Sequence, residues 1–187
     1  MKLAFLDTET TGLDSKKHEI IELALIIIED GERIYEKSFK IKPQHIETAS
    51  PVALRINGYD EAVWAEEGYH WSLQSVERLA KHLEGTVIVG HNVKFDIGFL
   101  RAVFNRYKYS FRFPPELDTK TLARLVWGFD KLSMDHIREN VEGMTKVGAH
   151  RALKDVEDCI FIYDKFIEKS LQNETKLNKT ETQSYND

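Results

Sequence analysis

Residues 2–14 read KLAFLDTETTGLD. The apolar run Leu3 to Leu6 has the character of a buried strand, yet it delivers Asp7 and then Glu9 to its end. Side chains two apart on a strand share a face, so the two acids sit roughly 6–7 Å apart. At an effective dielectric near 20 their repulsion is on the order of 2–3 kcal/mol if both are ionised. A cation between them would remove that cost, and oxygen-only donors at this spacing suit Mg²⁺ or Mn²⁺. The plainer reading makes Asp7 a turn residue and Glu9 a solvated one, and this stretch alone leaves both open.

The chain has 187 residues and a single cysteine. That length predicts one domain with a real core. Cys159 has no partner for a disulfide or a multi-cysteine zinc site, and its amphipathic surroundings predict a core position. No apolar run approaches the roughly 18 residues of a membrane span, and MKLAFLDTE turns acidic too early for a signal peptide. The expectation is a cytoplasmic protein with no membrane partner. The formal net charge of -5 argues against a nucleic-acid partner unless the acids have a special place.

Outward from the first strand, residues 19–30 and 31–41 predict two more strands, joined as a hairpin across Asp30-Gly31. Residues 73–83 carry helical apolar spacing, with Ser72 as N-cap and Gly85 as the stop. TVIVGHN (86–92) predicts a short buried strand, followed by a helix over about 95–107 and a strand over 109–118. Helices are expected over 119–127, 132–141 and 151–171. Residues 171–187 are polar and aperiodic, which predicts a disordered tail after a domain spanning 1–170. Three strands followed by alternating helices and strands indicate an α/β domain with a mixed sheet.

Two further stretches bring acids to element ends. In HNVKFDIGFL (91–100), Asp96 falls in a first helical turn, where the helix dipole alone would favour it. His91 and Asn92 read as caps, and Phe95 reads as core. In GAHRALKDVEDC (148–159), His150 and Asp155 would point about 140° apart on one helix. They converge only if His150 lies on the preceding loop, which Gly148 permits. Glu157 and Asp158 beside them are expected to be exposed.

Together, DTETTGL (7–13), HNVKFD (91–96) and HRALKD (150–155) resemble, in order and spacing, the three motifs of the DEDDh, or DnaQ-like, 3′-5′ exonucleases. The resemblance covers about residues 1–170. It implies an RNase H-like fold, with a mixed five-stranded sheet flanked by helices, and a two-metal phosphodiesterase using Mg²⁺ or Mn²⁺. By motif position, Asp7, Glu9, Asp96 and Asp155 would hold the metals and His150 would be the general base. Histidine is the residue type that exchanges protons near neutral pH, which suits that role. Thr8, Thr10, Leu13, Asn57, His91, Asn92 and Phe95 are implied at the substrate. Leu13 could wedge against the terminal base or simply pack, and Asn57 stands where many relatives carry His. Asp118, in a further similar segment, reads as an N-cap.

The resemblance also changes the charge argument, because setting the four acids aside leaves a net charge of only -1. Segment 94–124 holds seven Lys/Arg against three acids. Within it RYKYSFRF (106–113) interleaves aromatics with cations; a half-buried strand explains this better than base stacking. DTETTGL is most similar to the proofreading-subunit branch, which implies single-stranded or 3′-frayed DNA as substrate and a replicative DNA polymerase as a candidate partner. RNA, acted on by an exoribonuclease, is the alternative substrate. A non-catalytic nucleic-acid-binding module would have lost one of the five residues, and none is lost. A polymerase-assembly role has no positive support in the sequence.

Overall fold

The structure is a computed structural model that describes the backbone of residues 1–184 and the side chains of residues 1–175. Strand β1 (Lys2–Thr10) pairs antiparallel with β2 (Ile20–Glu29), which pairs antiparallel with β3 (Glu32–Lys40). The β2–β3 turn places Asp30 at φ 52° and Gly31 at φ 88°, the left-handed pair that a tight hairpin requires. On its other edge β1 pairs in parallel with β4 (Val87–Gly90), and β4 in parallel with β5 (Glu116–Asp118). The sheet order is β3-β2-β1-β4-β5.

Helices α1 (Pro51–Ile56), α2 (Glu61–Glu67) and α3 (Leu73–Leu83) follow the hairpin. Helix α4 (Lys94–Arg106) succeeds β4, and α5 (Thr119–Trp127), α6 (Met134–Asn140) and α7 (Ala152–Ser184) follow β5. Alternation along β1 splits the core in two. Ala4 and Leu6 join Val76, Leu83, Ile97, Leu100 and Phe104 of α3 and α4 on one face. Leu3 and Phe5 join Ala152, Val156, Cys159 and Ile160 of α7 on the other. β2 is therefore buried on both faces, and Cys159 is core as expected.

Several expectations are corrected. Residues 109–115 form no strand, because Pro114 and Pro115 lack the N–H groups a ladder needs. Tyr109, Phe111 and Phe113 instead pack their rings against Phe104, with centroids 5.9, 5.3 and 5.2 Å away. Arg101 lies 4.7 Å over the Phe113 ring, so this aromatic cluster belongs to the core. Helices α1 and α2 have no counterpart in the sequence reading; each has its own N-cap, Ser50 and Asp60. Asp118 caps α5, as expected. Helical backbone continues past Leu171 to Ser184, since no glycine or proline follows to stop it. Residues 185–187 of the expected tail lie outside the described residues. Among the described residues no helix is long and apolar enough to cross a membrane.

Candidate active site

The carboxyl ends of the parallel pair β1 and β4 bring the three motifs together. Asp7 and Glu9 continue the Leu3/Phe5 face, toward α7, where Asp155 sits in the first turn. Thr8 continues the Ala4/Leu6 face, toward α4, whose first turn carries Asp96. The Thr8 backbone N–H and hydroxyl both donate to Asp96 Oδ1, at 2.9 and 2.7 Å. The threonine between the two acids thus holds the third. β1 shifts register against β2 between Glu9 and Thr10, and such a bulge re-aims side chains at a strand end. Gly90 permits the close approach of β1 and β4: a Cβ there would lie 2.9 Å from the Leu6 carbonyl oxygen.

His150 lies on the loop before α7 with φ 59°, next to Gly148 at φ 78°. Donor atoms of Glu9, His150 and Asp155 lie within 4.8 Å of one another. Thus the expected loop placement of His150 is what lets it meet Asp155.

The electrostatics are those of crowded acids. Burial pushes Asp7 well above the usual carboxylate range, and the neighbouring charges of Asp96, Asp155 and Glu9 push it further. Burial, then Asp155 and Glu22, raise Glu9 to about 8, against the pull of Arg151. Burial raises Asp96 despite its Thr8 hydrogen bonds, and raises Asp155 despite the Arg138 guanidinium. In the absence of cations the folded protein therefore holds more protons than the unfolded chain between about pH 4.5 and 8, so its stability must fall as pH rises through that window. A melting series in EDTA is expected to show this decline, worth a few kcal/mol. Divalent cations should flatten it by holding the ionised form; stability that rises with pH over the same window would contradict the crowding.

The remaining residues expected at the substrate divide by what they touch. The Thr10 hydroxyl donates to the Gly12 carbonyl at 2.7 Å and braces the turn that carries Leu13. Leu13 is 85% exposed, so it does not pack into the core. Asn57 is buried and donates from Nδ2 to the Thr10 carbonyl at 3.0 Å; its Oδ1 has no protein partner among the described residues. His91 engages the Thr119 hydroxyl at 2.9 Å and the Leu132 carbonyl at 2.8 Å, tying the end of β4 to α5 and the segment before α6. Exposed Asn92, at φ 67°, donates its N–H to Asp118 at 3.0 Å. Phe95 is half-buried against Phe99, with ring centroids 4.9 Å apart.

Asp158, expected on the surface, is buried at 3% and bound by Arg138 of α6 and by Lys154. Arg138 also binds Asp155, a contact that no local spacing announces. Glu22 is similarly buried, opposite Glu9 in the β1–β2 register, and meets Ser38 at 3.1 Å and Arg151 at 3.2 Å. Its place within the buried, otherwise apolar run Ile20–Ile27 of β2 is the sequence signal for that burial.

The RNase_T family model, described as Exonuclease, matches residues 4–163. The chain is 30% identical over 167 residues to a DNA polymerase III PolC-type protein of Thermotoga petrophila, covering 87% of this chain and 12% of that one. It is 30% identical over 166 residues to the DNA polymerase III subunit epsilon of Aquifex aeolicus, covering 88% and 79%. E. coli exonuclease I in complex with a dA16 oligonucleotide superposes with a TM-score of 0.75 at 21% identity, covering 90% of this chain and 41% of that one. The fold is RNase H-like, and the chain belongs to the RNase_T exonuclease family, as the DEDDh resemblance implied. It spans only an eighth or less of the PolC-type relative and under half of exonuclease I.

Proposed function

We propose that the chain is a divalent-metal-dependent 3′-5′ exonuclease that releases nucleoside 5′-monophosphates from single-stranded or frayed 3′ ends of DNA. The observation that supports this reading is the cluster of Glu9, His150 and Asp155, with Asp7 and buried Asp96 as its charged neighbours. Asp96, Asp155 and Glu9 raise Asp7, and Asp155 and Asp96 raise Glu9, so the four acids form an oxygen-donor set suited to hard divalent cations. Arg138 and Arg151 alone cannot balance them. These four residues would hold two ions, Mg²⁺ or Mn²⁺, which when bound supply charge stabilisation at the scissile phosphate and activation of water.

The chain's own residues have distinct tasks. Thr8 keeps Asp96 oriented through two hydrogen bonds. An imidazole nitrogen of His150 takes the proton of the attacking water as that water adds to phosphorus and the bond to the leaving 3′ oxygen breaks. Exposed Leu13 meets the terminal base, and buried Asn57 supports that turn through the Thr10 carbonyl. Thr8, Thr10, His91, Asn92 and Phe95 shape this subsite from behind, by holding the backbone and side chains that line it. DNA is favoured over RNA because the relatives are DNA polymerase III proteins and the oligonucleotide bound to exonuclease I is DNA. The same relatives favour a replicative polymerase as partner.

Digestion of 5′-labelled single-stranded DNA, mismatched duplex and RNA tests this reading. The expected result is a ladder shortening from the 3′ end of both DNA substrates, faster than on RNA and abolished by EDTA. Cleavage that persists in EDTA would overturn it, and faster loss of RNA would assign the exoribonuclease activity instead.

A further inference from the structure

Arg138 is fully buried on α6 and gathers carboxylates from two elements. Its Nε donates to Asp158 Oδ2 at 2.8 Å, Nη2 lies 2.7 Å from the same oxygen and donates to Asp155 Oδ1, and Nη1 lies 3.3 Å from Asp135. Asp158 Oδ1 is taken by Lys154. Arg138 and Lys154 thus pair with Asp155 and Asp158 without any metal ion. Asp155 Oδ2, in contrast, has no protein donor among the described residues, while the Asp155 carboxylate lies near Glu9 and His150. Asp158 serves as the anchor that keeps the guanidinium in place.

We propose that Arg138 is a positioning residue for the metal site: it fixes the rotamer of Asp155 and reserves one carboxylate oxygen, so that Asp155 offers a divalent cation a single oxygen. This rests on the metal-dependent reading above. The guanidinium competes with the cation for Asp155 and repels it. The site accordingly exchanges some metal affinity for a defined geometry, as supporting contacts around a metal ligand commonly do.

Arg138→Met is the test, with Mn²⁺ affinity measured by calorimetry and kcat measured on a labelled oligonucleotide. The expected result is Mn²⁺ bound at least threefold more tightly while kcat falls at least tenfold. A side chain needed only for folding would lower the melting temperature and leave both values of the folded protein unchanged. Unchanged or weaker Mn²⁺ binding overturns the proposal. Should Asp158, left without its guanidinium, unfold the single variant, Arg138→Met/Asp158→Leu removes both charges and is read in the same way. In the unaltered chain, the Arg138 Nε–H resonance is expected to exchange slowly and to shift on addition of Mg²⁺, and no shift overturns the proposal. Mn²⁺ binding needs no substrate. An unaltered chain that degrades no nucleic acid would therefore defeat the exonuclease reading and leave the role of Arg138 to be decided by affinity.

Discussion

Asp7→Asn is expected to slow 3′-terminal hydrolysis by at least ~10³-fold and, in EDTA at pH 8, to raise the melting temperature by roughly 2–4 °C. The two effects share one cause. Asp7 is buried among Asp96, Asp155 and Glu9, each of which opposes its ionisation. Replacing the carboxylate by a neutral amide of nearly the same shape removes repulsion from the metal-free fold and a charged ligand from the loaded one. Stability and activity must therefore move in opposite directions. An Asp7→Asn protein less stable than the native chain in EDTA would mean that the acids do not strain the fold.

His150→Ala is expected to lower kcat by about 10²–10⁴-fold, the usual worth of a positioned general base, while Mn²⁺ affinity changes by less than threefold. His150 stands near Glu9 and Asp155, so it could in principle be a ligand instead. A tenfold loss of Mn²⁺ affinity would assign it that role and remove it as the base. The backbone needs its own control, because His150 sits at φ 59°, a region in which Asn is better tolerated than most residues. His150→Asn keeps that turn without supplying an equivalent base. Equal slowing by Ala and Asn would trace the effect to the imidazole, whereas recovery with Asn would trace it to the turn.

The parts of this site that were legible in the sequence are those set by local periodicity. Alternation in KLAFLDTET places Asp7 and Glu9 together, and the 3.6-residue period of α7 separates Asp155 from His150 unless the histidine lies on a loop. The hairpin at Asp30-Gly31 and the caps Ser72 and Asp118 were legible because turn and capping chemistry is short in range. What escaped the reading depends on contacts distant in the chain. Asp158 looks exposed until α6 brings Arg138 against it, 20 residues away in sequence. Tyr109, Phe111 and Phe113 alternate like a strand, yet Phe104 gathers them without any ladder. The helix boundary at Leu171 failed for a local reason: loss of apolar periodicity ends packing, and it does not by itself end helical hydrogen bonding. The division of labour between Thr8 and its neighbours was also hidden, since the motif places threonine beside the acids without revealing that its hydroxyl serves Asp96.

We infer that the charge gathered at the end of β1 is a cation site. Crystals of the protein soaked in Mn²⁺ and measured at the manganese edge test it most directly. Two anomalous peaks about 3.5–4 Å apart, bordered by Asp7, Glu9, Asp96 and Asp155, are the predicted result. Absence of any peak among these four carboxylates, in crystals that take up manganese elsewhere, would contradict it.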